Sequence, residues 1–178
     1  MSEIEDIFLD PAKGFINASK LVRKLKKEGV NYTSFEGVFA NDEILSHKLD
    51  FDSNDKYSFI INYQNRDQNG SHWVAVYFDT RDKYVYYFDS FGMPPTKNVK
   101  AFLKRFESKT LVDVTGTLQS EKSFSCGQWC CAFILHMEKT GDVYSFIHGI
   151  FKEATSVKIS EQNEDKLSNI IKKLSEQT

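Results

Sequence analysis

Three prolines and nine glycines in 178 residues leave little room for a flexible linker. No apolar run approaches the roughly 20 residues that cross a bilayer. Neither sign of charge dominates, since 23 Lys and Arg against 25 Asp and Glu give a net charge of -2. A domain whose main task is to grip nucleic acid is usually basic. Two clusters, Arg23-Lys24-Lys26-Lys27 and Lys97 to Arg105, are where DNA contact would have to occur, and both also read as solvated helix faces. Cysteine is scarce as well. Cys126, Cys130 and Cys131 crowd into one short stretch, which is no disulfide framework. His136 follows Cys131 by five residues, but no second ligand pair stands at zinc spacing. No metal and no cofactor are expected. The first residues, Met1-Ser2-Glu3-Ile4-Glu5-Asp6, are acidic and lack the positive n-region of a signal peptide. Together these features predict a protein of a reducing compartment with no membrane association.

Aromatic residues are abundant: 15 Phe, 8 Tyr and 2 Trp make 14% of the chain. That composition favours packing over disorder. A chain of this length buries roughly 70% of its unfolded surface, so one domain over residues 1–178 is expected to fold without a staple.

Along the chain, residues 17–28 read as a helix, with Asn17 or Ser19 as cap, an apolar stripe of Leu21, Val22 and Leu25, and Gly29 as stop. Residues 35–49 carry no clear period, though Asn41-Asp42-Glu43 suits the start of a short helix. Residues 57–63 (YSFIINY) read as a strand, and Asn69-Gly70 as a turn. Strands at 72–78 and 83–89 flank a turn at residues 79–82 and form a hairpin. Thr96 caps a helix running to about Phe106, with Val99, Phe102, Leu103 and Phe106 on one face. A fourth strand covers residues 110–114. Residues 126–139 read as a buried helix ending near Gly141, residues 142–151 as another, and Leu167, Ile170, Ile171 and Leu174 as the stripe of an amphipathic C-terminal helix. Strands grouped between helices favour the α+β class.

Four residues stand where chemistry can be done. His72 opens one hairpin strand and Asp89 closes its antiparallel neighbour, so both lie at one end of the sheet, within cross-strand reach. Cys126 sits at a loop-to-helix junction, and Gln119 lies in the loop before it. A thiol is mostly protonated at neutral pH. A helix N-terminus and a protonated His72 would both favour the thiolate of Cys126. Asp89 would orient the imidazole, and Gln119 with the Cys126 backbone N–H would form an oxyanion hole. Gly127 beside the nucleophile would permit close approach of a substrate backbone. Singly, each residue has an ordinary structural reading; in combination they suit nucleophilic catalysis by cysteine.

The order and spacing resemble the adenain-like cysteine proteases, which are related to the SUMO-specific and deneddylating proteases. The family order is His, Asp or Glu, Gln, Cys, and here His72 precedes Asp89 by 17 residues and Gln119 precedes Cys126 by 7. The strings His72-Trp73, FDSFG at 88–92 and CGQWCCAFILH at 126–136 are similar too, the last to the adenovirus branch. Residues 35–43 (FEGVFANDE) resemble proteases of virophages, including the mavirus type, and of Polinton-type elements.

The resemblance implies a papain-like cysteine protease fold, with a central mixed or antiparallel sheet flanked by helices. It implies a thiol endopeptidase that processes viral capsid and other structural proteins during maturation, at glycine-containing sites, in the virion and the viral factory of the host cytoplasm. Trp73 would wall a narrow substrate channel. The same chemistry would serve an isopeptidase acting on conjugates of ubiquitin-like modifiers, an acyl transferase, or, with the chemistry silent, a capsid-binding module. Adenovirus protease is basic and is stimulated by DNA and by a disulfide-linked peptide. The net charge of -2 and the confinement of cysteine to 126–131 argue against both dependencies here. Cys130 and Cys131 read as packing residues.

Overall fold

Residues 56–62 and 73–79 are rich in β-branched and aromatic side chains, which fit a pleated surface covered on both sides. In the computed structural model, which describes residues 35–176 apart from 51–53, 69–70, 107 and 115, both segments are strands whose side chains are almost all buried. Five strands form one sheet in the order β1-β2-β3-β4-β5. They are β1 (Phe35–Phe39), β2 (Lys56–Asn62), β3 (Trp73–Asp79), β4 (Tyr84–Phe88) and β5 (Thr110–Val114). The central pairs β2/β3 and β3/β4 are antiparallel, as the hairpin reading requires. The edge pairs β1/β2 and β4/β5 are parallel, so the sheet is mixed.

Strand alternation sends side chains to two separate cores. Val74, Val76 and Phe78 of β3 join Tyr57, Phe59 and Tyr87 on one face. There they meet Val99, Phe102 and Phe106 of helix α1 (Lys97–Leu103) and the 3-10 turn that follows it. Thr96 caps α1, its hydroxyl accepting the Val99 N–H. Lys97, Lys100, Lys104 and Arg105 all face solvent, so this basic cluster is the outer side of a packed helix. On the opposite face Trp73, Ala75, Tyr77 and Phe88 pack under helix α2 (Cys126–Thr140) and helix α3 (Val157–Glu176). Phe88 and Phe133 stack at 4.6 Å and 10°. Gly141 ends α2 at φ 64°, a left-handed conformation that suits glycine.

One feature differs from the sequence reading, and the structure sharpens two others that the sequence read as helical. Strand β1 was not foreseen, because an edge strand in a parallel pair carries no turn signal linking it to its partner. Asn41-Asp42-Glu43 forms a turn leading into a 3-10 turn at Ile44–Ser46, and the Glu43 carboxylate accepts the Ala40 N–H. Ser145–Ile150 winds as a π-helix, not an α-helix. The wider turn brings Phe146 and Phe151, five apart, onto one face with ring centroids 5.0 Å apart. The predicted helix at 17–28, the Arg23-to-Lys27 cluster and the Asn69-Gly70 turn lie outside the described residues. Among the described residues, no helix is long and apolar enough to cross a membrane.

Candidate active site

β3 enters and β4 leaves the sheet at the same end. Ala75 pairs with Phe88, which places His72, just before β3, diagonally across from Asp89, just after β4. His72 Nε2 lies 2.9 Å from Asp89 Oδ1. The Cys126 side chain is the next group to act on the ring. Because Nε2 is committed to Asp89, Nδ1 is the nitrogen left for the sulfur. Cys126 is the first residue of the 15-residue helix α2, which carries it to the sheet end from the opposite face. The carboxylate, the imidazole and the thiol therefore lie in one row, Asp89 bonded to His72 and Cys126 beyond the ring, with His72 and Cys126 each 8% exposed and Asp89 fully buried.

Burial by itself pushes the His72 imidazole down. The hydrogen bond and negative charge of Asp89, with Cys126 beside the ring, outweigh it and raise the pKa from 6.5 to about 9. His72 is thus an imidazolium at neutral pH.

Asp89 is itself held from three directions. Its Oδ1 also accepts the Phe91 N–H at 2.7 Å, and Oδ2 accepts the Tyr63 hydroxyl at 2.9 Å. Burial first, then the charge of Asp89, pushes the Tyr63 phenol above its ordinary value, which keeps it a donor. The Tyr63 ring meets His72 edge-on at 5.0 Å and 89°, and the Phe91 ring lies 5.2 Å from it at a tilt of 36°. Sequence spacing gave no hint of Tyr63, which read only as the last residue of a strand. Its position follows from the pairing of β2 with β3.

Gln119 is 1% exposed. Its Oε1 accepts the Ser90 hydroxyl at 2.6 Å and its Nε2 donates to the Ser123 carbonyl at 3.1 Å. One amide hydrogen of the two remains. Ser90, next to Asp89, also accepts the backbone N–H groups of Leu118 and Gln119 on its carbonyl. One dipeptide at the end of β4 thus holds both the histidine and the glutamine. Gly127 is half-buried in the first turn of α2. Trp73 is 7% exposed and lies in the core beneath α2, because strand alternation turns it to the face opposite His72.

The other cysteines differ from Cys126. Burial raises the Cys130 thiol well above its ordinary value and the Cys131 thiol to about 12. Both belong to the packing under α2. His136 bonds the Asp142 carbonyl and the Ser145 hydroxyl, each at 2.8 Å, and so ties α2 to the π-helix. Among the described residues, no group of three His, Cys, Asp or Glu side chains converges where a metal ion would sit.

Comparison with known proteins gives matches in sequence and in fold. A protein of Acanthamoeba polyphaga mimivirus named for thiol protease activity is 34% identical over 87 residues, covering 44% of this chain and 28% of its own length. The protease of Bovine adenovirus 2 is 31% identical over 87 residues, 42% of each chain. The matched region thus spans less than half the length of both relatives. Among solved structures, the ASFV pS273R protease superposes with a TM-score of 0.59 at 17% identity, covering 91% of this chain and 68% of its own. That likeness identifies the fold as the α+β arrangement of the papain-like cysteine proteases. Residues 49–178 match the adenovirus endoprotease family, and the chain belongs to that family of cysteine proteases.

Proposed function

We propose that the chain is a thiol endopeptidase that cuts viral structural proteins during particle maturation, within the infected cell and the virion. The observation that carries this reading is the row Asp89–His72–Cys126, with the sulfur at the N-terminus of α2 and the imidazole charged at neutral pH. In the proposed mechanism the Cys126 sulfur, its proton held by His72, attacks the scissile carbonyl carbon. The carbonyl oxygen takes the electron pair, and the remaining Gln119 amide N–H and the Cys126 backbone N–H receive the charge. His72 gives its proton to the departing amine as the C–N bond breaks. Water then attacks the thioester, with His72 now the base, and the thiol is regenerated.

Asp89 keeps the imidazole in the tautomer and orientation these transfers need. Gly127 leaves the space beside the sulfur open to a substrate backbone. Trp73, 7% exposed and packed in the core beneath α2, acts on the substrate channel only as part of the wall behind it. A site so closed in suits substrates with glycine next to the scissile bond.

Incubating the chain with the structural proteins of its virus and mapping new termini by mass spectrometry tests this reading. Wild type is expected to generate termini at glycine-containing sites, Cys126→Ala none, and Cys130→Ala the wild-type set. Cleavage by Cys126→Ala would overturn the assignment. If structural proteins stay intact while conjugates of ubiquitin-like modifiers are released, the enzyme is an isopeptidase instead.

A further inference from the structure

We propose that Glu164, on the C-terminal helix α3, is a positioning residue that holds the loop ahead of Cys126 in the shape an oxyanion site requires. The inference rests on the Cys126–His72 reading above. Four donors from one segment converge on this single carboxylate. Oε1 accepts the Ser120 N–H at 3.0 Å, the Ser123 hydroxyl at 2.8 Å and the Trp129 indole N–H at 3.4 Å. Oε2 accepts the Ser125 hydroxyl at 2.7 Å. Its neighbour Asn163, 1% exposed, adds a second tie, donating to the Leu118 carbonyl at 3.1 Å. Two adjacent residues of α3 thereby grip both ends of residues 118–125.

Two consequences reach the proposed chemistry. The Ser123 carbonyl accepts from Gln119 Nε2, so fixing Ser123 also fixes the Gln119 amide. The second concerns Ser125, the N-cap residue of α2. A serine there ordinarily turns its oxygen onto a first-turn N–H of its own helix. Here it makes no such bond, and its hydroxyl is spent on Glu164 instead. The first-turn N–H groups of α2 are thereby kept free of Ser125 and open to a developing negative charge.

In Glu164→Gln the amide cannot satisfy all four donors. With nitrogen at the Oε1 position it faces the Ser120 and Trp129 N–H groups, which can only donate. With nitrogen at the Oε2 position it faces Ser125, whose hydroxyl must then accept from the amide and no longer donates there.

The test compares two reactions of the same thiol in the full chain. Acetylation by p-nitrophenyl acetate forms a thioester to the Cys126 sulfur and breaks the ester C–O bond, nitrophenolate leaving with the electron pair; the transition state carries an oxyanion. Alkylation by iodoacetamide displaces iodide at a CH2 carbon and forms no oxyanion. Because losing one oxyanion donor costs about 10²–10³ in rate, a displaced donor in Glu164→Gln should slow acetylation at Cys126 by about tenfold to a hundredfold. Alkylation should stay near the wild-type rate. Glu164→Asp should recover part of the loss, and Ser125→Ala, which removes one donor of the four, should show a smaller selective loss. Hydrogen exchange should quicken in residues 118–125 of Glu164→Gln and not elsewhere.

Equal loss of both reactions, or no change in acetylation or in local exchange, would overturn the proposal. If Glu164→Gln fails to fold, the selective loss in Ser125→Ala decides. A wild-type chain that is not acetylated at Cys126 would sink the protease reading instead, and the exchange measurement would still decide whether Glu164 holds the loop.

Discussion

Replacing Asp89 by asparagine removes the charge that keeps His72 protonated while leaving the side-chain shape. Burial alone would carry the imidazole below its ordinary 6.5, yet it titrates at about 9, with Asp89 the first of the groups that raise it. A rise of about 2.5 pH units corresponds to about 3 kcal/mol of preference for the charged form. A carboxylate in contact accounts for about 1–3 pH units of such a rise. Asp89→Asn is therefore expected to bring the His72 midpoint down to between about 6 and 8. The amide has a second effect. Its oxygen stays at the Oδ1 position, where the Phe91 N–H can only donate, and its N–H2 turns to the Tyr63 hydroxyl, so the His72 N–H keeps an acceptor but a neutral and weaker one.

The assay is an NMR titration of the four histidine rings, assigned by single substitutions, run beside the pH dependence of acetylation at Cys126. In wild type the basic limb of activity should lie near pH 9, and in Asp89→Asn it should move down with the His72 midpoint, while the maximum rate falls. Stability gives an independent readout. His72 has a folded pKa above its unfolded one, so its contribution to wild-type stability is full below pH 6.5 and is lost as pH rises through about 9. That decline with pH should flatten in Asp89→Asn. A His72 midpoint that stays where it is in wild type would refute the coupling argued here. A midpoint that falls while the basic limb of activity stays near pH 9 would show that another group governs the reaction.

Two further outcomes are expected. At pH 7, limiting iodoacetamide should label Cys126 and spare Cys130 and Cys131, whose thiols burial raises; peptide mapping that finds Cys130 or Cys131 labelled first would contradict this. Gly92→Ala should cost more stability in urea unfolding than Gly141→Ala. Both positions are left-handed, at φ 69° and 64°, which costs any other residue about 1–2 kcal/mol. Only at Gly92 would the new Cβ also meet backbone, 3.1 Å from the Gly116 nitrogen, whereas at Gly141 nothing lies within 4 Å. Equal losses would mean that the loop carrying Asp89 and Ser90 yields at no cost.

The regular elements were legible because each announces itself locally. Continuous aromatic and β-branched runs mark β2, β3 and β4, the Thr96 cap marks α1, and Gly141 marks the end of α2. His72 and Asp89 could be paired from sequence because a hairpin is a local structure, and its register follows from two strands and the turn between them. Cys126 and Gln119 were legible through their spacing and the family strings around them.

Tyr63, Ser90, Asn163 and Glu164 carried no comparable signal. Glu164 stands 39 residues from Ser125 and 44 from Ser120, and meets them only because α3 folds back beside the start of α2. Nor does composition say which of three clustered cysteines is set apart. That depends on which one opens the helix at the sheet end beside His72, and which two the same helix turns into or against the core. Residue order by itself therefore determined the class, four of the five strands and the chemical types at the site, since these rest on neighbours along the chain. The tertiary structure decided the charge state of His72, the fate of each thiol and the hold on residues 118–125, because burial, charge and hydrogen bonding depend on distances that only packing sets.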